Sequence, residues 1–142
     1  MYTDGGSRGN PGKAGIGVVI LNENKEVLKK FGEYLGDGLT NNEAEYQAVI
    51  FGLKKCKAVF GKKEIAESEV EVRSDSELLV NQMNGNYKIE NEKMQKFFIE
   101  IWNLKIDFKA VTFVAIPREQ NKEADKLVNE ALDGQATSQR LF

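Results

Sequence analysis

The chain has 142 residues, 41% hydrophobic and 30% charged, a composition that suits one soluble domain with a real core and excludes a disordered chain. It contains no histidine and a single cysteine, which rules out a Ser-His-Asp triad, a Cys-His pair, a His-ligated zinc, an internal disulfide and a thiolate metal cluster. The formal net charge of −2 argues against nucleic-acid affinity through a broad basic surface, but not against reading a duplex by shape and hydrogen bonds with metal ions offsetting charge.

In chain order, residues 1–3 read as a short strand that ends at Asp4 and runs into the glycine stretch GGSRGNPG. Residues 14–22 and 26–35 are rich in β-branched and aromatic side chains and read as strands, joined by a hairpin turn at Asn22-Glu23-Asn24-Lys25. From 41 to 60 the period becomes helical, with Val49, Leu53, Cys56 and Phe60 recurring. Thr40 with Glu43 predicts a capping box at its start. Cys56 reads as a small core residue rather than a catalytic thiol. Residues 68–74 alternate as a strand, and Ser74 and Glu77 cap a short helix through Met83. The loop NGNYKIEN leads to a second helix over 91–104. Residues 109–116 form a strand that Pro117 ends. The last helix covers 121–133, with Ala124, Leu127, Val128, Ala131 and Leu132 on its buried side, and Gly134 as the expected stop.

The order β-β-β-α-β-α-α-β-α implies an α/β fold, one mixed sheet with helices on its faces. Right-handed crossovers make the fourth and fifth strands parallel to the first. Ligands in such sheets gather at the carboxyl ends of the parallel strands, where Asp4 and Asp75 are expected. Glu45 shares a helix face with Val49, Gly52, Leu53 and Cys56, and a carboxylate on an apolar stripe is costly unless it is paired or binds metal. Asp125 lies at the edge of the last helix's buried stripe. Each acid alone has a plain reading as a cap, turn or surface charge. Together they describe hard oxygen ligands brought from strand ends and helices, as a magnesium site on a phosphodiester requires. GGSRGNPG lacks the Gly-Lys-Ser/Thr ending of a Walker loop. It is either a flexible hairpin corner or backbone that lets a ribose or phosphate approach. Asn41 and Asn42 are either helix caps or donors to base edges and 2′-hydroxyls.

The stretches DGGSRGNPG, TNNEAE, SDSELL and NKEADKLVNEAL resemble, in order and spacing, the signature segments of the type 1 ribonuclease H family. The resemblance spans nearly the whole chain and implies a catalytic domain over 1–134 with a loose tail at 135–142. The implied fold is a five-stranded mixed sheet ordered 3-2-1-4-5 with helices on both faces. The implied activity is cleavage of the RNA strand of RNA/DNA hybrids, leaving 5′-phosphate and 3′-hydroxyl ends, with two Mg²⁺ ions and Mn²⁺ as a substitute. Carried over by position, Asp4 bridges the two ions, Asp125 holds the one that activates water, and Glu45 and Asp75 hold the one at the leaving oxygen. Gly5, Ser7, Asn10, Asn41 and Asn42 match positions that face the hybrid's minor groove, and crowding of the four acids should raise at least one carboxyl pKa.

Three departures from the family's fuller pattern stand out. The loop before the last helix reads IPREQN, without the histidine many members carry; Arg118 there meets phosphate, aids product release, or forms a surface ion pair. The basic protrusion is missing, leaving Tyr87 to stack on a DNA sugar and Lys88 to meet a phosphate, so weak, salt-sensitive binding is expected. The first strand, which should be central, has only Met1, Tyr2 and Thr3 before Asp4. A broader A-form duplex nuclease, a non-catalytic hybrid-binding module and a structural cation-binding domain are the competing readings. The last ranks lowest because no D-x-D-x-D-G spacing is present. No apolar run spans a bilayer and no leader is visible. A cytoplasmic monomer without membrane or obligate protein partner is therefore expected.

Overall fold

The computed structural model describes residues 1–141, with side chains through residue 135. Strands β1 (Tyr2–Arg8), β2 (Gly12–Leu21) and β3 (Val27–Leu39) form an antiparallel meander. Helix α1 (Asn41–Phe60) and a short α2 (Lys62–Ala66) lead into β4 (Glu69–Ser74). Helices α3 (Glu77–Met83) and α4 (Glu92–Ile106) precede β5 (Ala110–Ala115). A 3-10 turn, Arg118–Gln120, opens onto α5 (Lys122–Leu141). The sheet order is β3-β2-β1-β4-β5, with β4 parallel to both β1 and β5. This is the order the resemblance implies, with the parallel strands where the order of elements put them.

Alternation along the strands assigns the two faces. A Cβ on Gly5 would sit 2.2 Å from the Ala44 carbonyl carbon of α1, whereas one on Gly6 would meet Val128 of α5. The α1 face carries most of the core: Val18, Val49, Leu53, Val72, Leu79 and Ile101 are buried in one cluster. Tyr46 is buried there with its hydroxyl donating to Gln82 Oε1 at 2.6 Å and its ring stacked on Phe97, which ties α1 to α3 and α4. The α5 face is floored by glycine. A Cβ on Gly17 would lie 2.0 Å from the Ala124 carbonyl oxygen, and one on Gly32 2.9 Å from that of Leu127. Helix α5 therefore rests directly on the sheet backbone, with Ala124, Val128 and Leu132 turned inward. Half of the expected capping box forms: the Glu43 N–H donates to Thr40 Oγ1 at 3.1 Å, but the Glu43 carboxylate accepts from Lys93 Nζ at 3.0 Å instead of reaching back to Thr40.

Several boundaries differ from expectation. The first strand does not stop at Asp4; it continues through Gly5, Gly6 and Ser7, because antiparallel pairing with β2 runs from Tyr2↔Val19 to Arg8↔Lys13. The corner falls at Gly9–Pro11. Ladder bonds and helix packing override the low strand propensity of glycine. Strand β3 also outruns its predicted end by four residues, passing Gly36 and Gly38 at φ 126° and 78°. Gly134 does not stop α5. It lies inside the helix with nothing within 4 Å of a Cβ position, and a helical glycine costs only about 1 kcal/mol. The helix runs on through Leu141, beyond the expected end at 133 and into the stretch expected to be a loose tail, whose last residue, 142, lies outside the described residues. Helix α2, five residues with only Ile65 buried, is too short to show a period. Among the described residues no helix is long and apolar enough to cross a membrane.

Candidate active site

Parallel pairing between β1 and β4 covers only Tyr2↔Arg73 and Thr3↔Ser74. Asp4 and Asp75 are the next residues on each side. Asp4 is therefore mid-strand toward β2, not at a strand end as expected, yet at the end of its parallel ladder. Glu45 enters the same opening from the second turn of α1, and Asp125 from the first turn of α5. Carboxylate oxygens of Asp4, Glu45 and Asp75 lie within 4.8 Å of one another. Asp125 lines the same concavity of about 470 Å³ together with Arg118 and Asn129, room for a phosphodiester rather than for an ion alone.

The acids are held by specific donors. Glu45 Oε1 accepts the Gly5 N–H at 3.0 Å, and the fully buried Ser74 Oγ donates to Glu45 Oε2 at 3.4 Å. Gly5 is required here because α1 passes too close for a side chain. Asn129 Nδ2 donates to the Asp125 carbonyl at 3.1 Å and reaches Asp125 Oδ2 at 3.5 Å. Asp4 and Glu45 are only 7% exposed, and burial disfavours their charged forms. It pushes Asp4 up to about 7, opposed by a hydrogen bond from Glu45 and reinforced by the charges of Asp75 and Asp125. Burial and the adjacent Asp4 hold Glu45 well above the ordinary carboxyl range. Burial also raises Asp75, while Asn121 and Arg118 pull it back down. Crowding does raise carboxyl pKa values, as expected.

Among the described residues no lysine or arginine forms an ion pair with Asp4, Glu45, Asp75 or Asp125. A buried group of like charges without a counterion calls for one. The donors are all carboxylate oxygens, a set suited to a hard divalent cation such as Mg²⁺. The residues thus fit a metal.

The other candidates divide between two concavities. Gly5, Ser7, Asn41 and Arg118 line the acidic one. Asn10, Asn41, Asn42 and Lys88 line a neighbouring groove of about 600 Å³ between α1 and the α3–α4 loop, so Asn41 joins the two. Tyr87, 53% exposed on that loop, lines neither. Asn10 and Asn41 interlock the hairpin corner with the helix start. The Asn41 N–H donates to Asn10 Oδ1 at 3.0 Å and the Ser7 N–H to Asn41 Oδ1 at 2.8 Å. With both carbonyls spent on backbone, their Nδ2 groups have no acceptor among the described residues. Ser7 Oγ donates inward, to the Leu39 carbonyl at 2.8 Å and to that of Gly9. Asn121 escaped the sequence reading, and Ser74, expected to cap α3, does not: the cap is Ser76, whose Oγ accepts the Leu79 N–H at 3.2 Å, while Ser74 turns to Glu45. Both are small polar residues beside an acid, and only burial distinguishes them from ordinary caps.

Sheet order and the buried carboxylate cluster together define a ribonuclease H-like α/β protein. The Reverse transcriptase-like family matches residues 2–131. A bifunctional protein of Mycobacterium tuberculosis is 37% identical over 97% of this chain, which spans 36% of that protein's length. Ribonuclease HI of Halobacterium salinarum is 36% identical over 93% of the chain and 63% of its own length. The chain thus spans about a third to two thirds of these curated relatives. Among solved structures, LC11-RNase H1 in complex with RNA/DNA hybrid is 48% identical, with a TM-score of 0.90 over 95% of this chain and 96% of that one. The chain belongs to the type 1 ribonuclease H family.

Proposed function

We propose that the chain is an endoribonuclease that hydrolyses the RNA strand of RNA/DNA hybrids with two divalent ions, leaving 5′-phosphate and 3′-hydroxyl ends. The observation that carries this reading is the uncompensated carboxylate cluster at the end of the β1/β4 ladder, open to a groove edged by asparagine donors. The hybrid bound to LC11-RNase H1 supports the substrate assignment. In this reading Asp4, Glu45, Asp75 and Asp125 would hold the ions, Asp125 toward the attacking water and Glu45 and Asp75 toward the leaving group, with Asp4 contributing to both. When bound, the ions supply an activated water and stabilise charge on the departing oxygen.

The chain's own residues do the rest. The Gly5 N–H and Ser74 Oγ aim Glu45 into the site, and Asn129 holds Asp125 on its helix. The Nδ2 donors of Asn10 and Asn41 present hydrogens to acceptors in a shallow minor groove, where 2′-hydroxyls distinguish RNA from DNA. Arg118 lies beside Asp75 and offers its guanidinium to a phosphate. Lys88 meets a second phosphate along the neighbouring groove, and Tyr87 stacks on a DNA sugar beyond it. A pure binding module would retain the cost of four crowded acids without using them, so that reading ranks lower.

The test is cleavage of a labelled RNA/DNA hybrid with Mg²⁺, Mn²⁺ or EDTA, with Asp4→Asn alongside and single-stranded RNA, duplex DNA and duplex RNA as controls. Metal-dependent cutting of the hybrid's RNA strand, abolished in the variant, is expected. Folded protein that binds hybrid without cutting it would overturn the enzyme reading. Equal cutting of duplex RNA would broaden the substrate to A-form duplexes.

A further inference from the structure

We infer that Asn121 is the positioning residue that sets three of the four carboxylates in register, through a side chain and backbone that touch β1, the β4 terminus and α5 at once. The inference rests on the proposed function for its activity readout, not for its metal-binding one.

Asn121 is 1% exposed, unusual for a side chain of its polarity. Its Nδ2 donates to the Thr3 carbonyl at 2.9 Å, the residue before Asp4. The same amide acts on the Asp75 carboxylate, favouring its charged form against the upward push of burial on that acid. Its own carbonyl accepts the Asp125 N–H at 3.1 Å, and its N–H donates to the Arg118 carbonyl at 3.0 Å. An amide nitrogen has two hydrogens, enough to serve one acceptor on β1 and one after β4. The ladder between those strands stops at Thr3↔Ser74, so no backbone bond aligns Asp4 with Asp75. Asn121 bridges that gap from the start of α5 and orients Asp125 one turn later.

The chemistry demands an amide. A carboxylate at 121 would have no hydrogen for Thr3 or Asp75 and would add a negative charge to the cluster. A small apolar residue would leave both acceptors unmet. Asn121 Oδ1 and Thr3 Oγ1 are buried without a protein partner. This side chain is therefore not placed to satisfy all of its own polar atoms, as a residue serving only packing would be. Groups that orient metal-binding side chains typically change metal affinity by about 10- to 100-fold when removed.

The experiment compares wild type, Asn121→Asp and Asn121→Ala by thermal melting, by calorimetric titration with Ca²⁺ as a non-turnover probe, and by hybrid cleavage over a Mg²⁺ series. Folded variants are expected to bind Ca²⁺ at least about tenfold more weakly. They should need correspondingly more Mg²⁺ for half-maximal rate, with KM for hybrid unchanged and Asn121→Asp the worse of the two. Folded variants with wild-type Ca²⁺ affinity and Mg²⁺ dependence would reduce Asn121 to a packing residue and overturn the inference. Should both variants fail to fold, the wild-type Asn121 side-chain amide is followed by NMR. Exchange-protected resonances that shift on Ca²⁺ addition support the role; resonances indifferent to Ca²⁺ refute it. If wild type cuts no hybrid, the proposed function fails while the calcium comparison still decides this one.

Discussion

Replacing Asp4 by asparagine should abolish activity and yet stabilise the metal-free protein. Folded Asp4 keeps its proton up to about pH 7, against an ordinary value of 3.8. Between those values the native state binds more protons than the unfolded chain, so stability falls as pH rises through that window. At about 1.4 kcal/mol for each tenfold change in acidity, holding Asp4 ionised above pH 7 costs on the order of 4 kcal/mol. The asparagine amide carries no charge, so in the variant the cost vanishes. Net stabilisation of up to about that order should therefore appear at pH 8. That corresponds to a rise in Tm of several degrees for a chain of this size. Near pH 4 the wild-type acid is already protonated and the two proteins should melt together. Thermal unfolding in EDTA at pH 4 and pH 8 measures both. The reasoning is refuted if Asp4→Asn melts below wild type at pH 8, or if its advantage is the same at both pH values. Mg²⁺ should raise the wild-type Tm at pH 8 far more than that of the variant.

Gly17→Ala should destabilise by about 3 kcal/mol or more in urea unfolding, because its Cβ meets the Ala124 backbone, which cannot give way as a side chain can; a loss under about 1 kcal/mol would refute direct backbone seating of α5. Cys56 is buried, and burial pushes its thiol up to about 11, so iodoacetamide should label it only on unfolding; fast labelling of native protein at pH 8 would contradict this. Lys88 and Arg118 are the cations facing the two concavities without an ion pair in the described structure, so log affinity for hybrid should fall with log salt at a slope of about −2. Fluorescence anisotropy across a salt series checks it, and a slope steeper than about −5 would reveal many more phosphate contacts.

Periodicity carried a large share of the information. Helix α1 and its Thr40 cap, β4, the span of α3 and the inward stripe of α5 were legible because each sets its pattern within a few residues. Glu45 stood out for the same reason, as an acid on an apolar stripe. The order of elements, with the handedness of crossovers, also led to a mixed sheet with β4 and β5 parallel to β1, while the strand order came from the family resemblance. What local sequence could not decide was whatever depends on a partner element distant in the chain. The glycines of β1 read as a loop, and only α1 and α5 pressing on both faces show why a strand there is built of glycine. Gly134 read as a stop, although nothing crowds it and the helix passes through. Asn41 read as a cap or a substrate contact and Asn10 as a substrate contact; their side-chain carbonyls accept the Ser7 and Asn41 N–H groups, respectively, which leaves their Nδ2 donors for substrate. Ser74 read as a helix cap, a part that Ser76 plays instead, and Asn121 read as nothing in particular. Their meaning comes from burial among residues 29 to 118 positions away, where an unmet acceptor or a free carboxylate is costly. Local physics wrote the elements and the acids into the sequence; the convergence that turns four acids into one site exists only where the ladder between β1 and β4 ends.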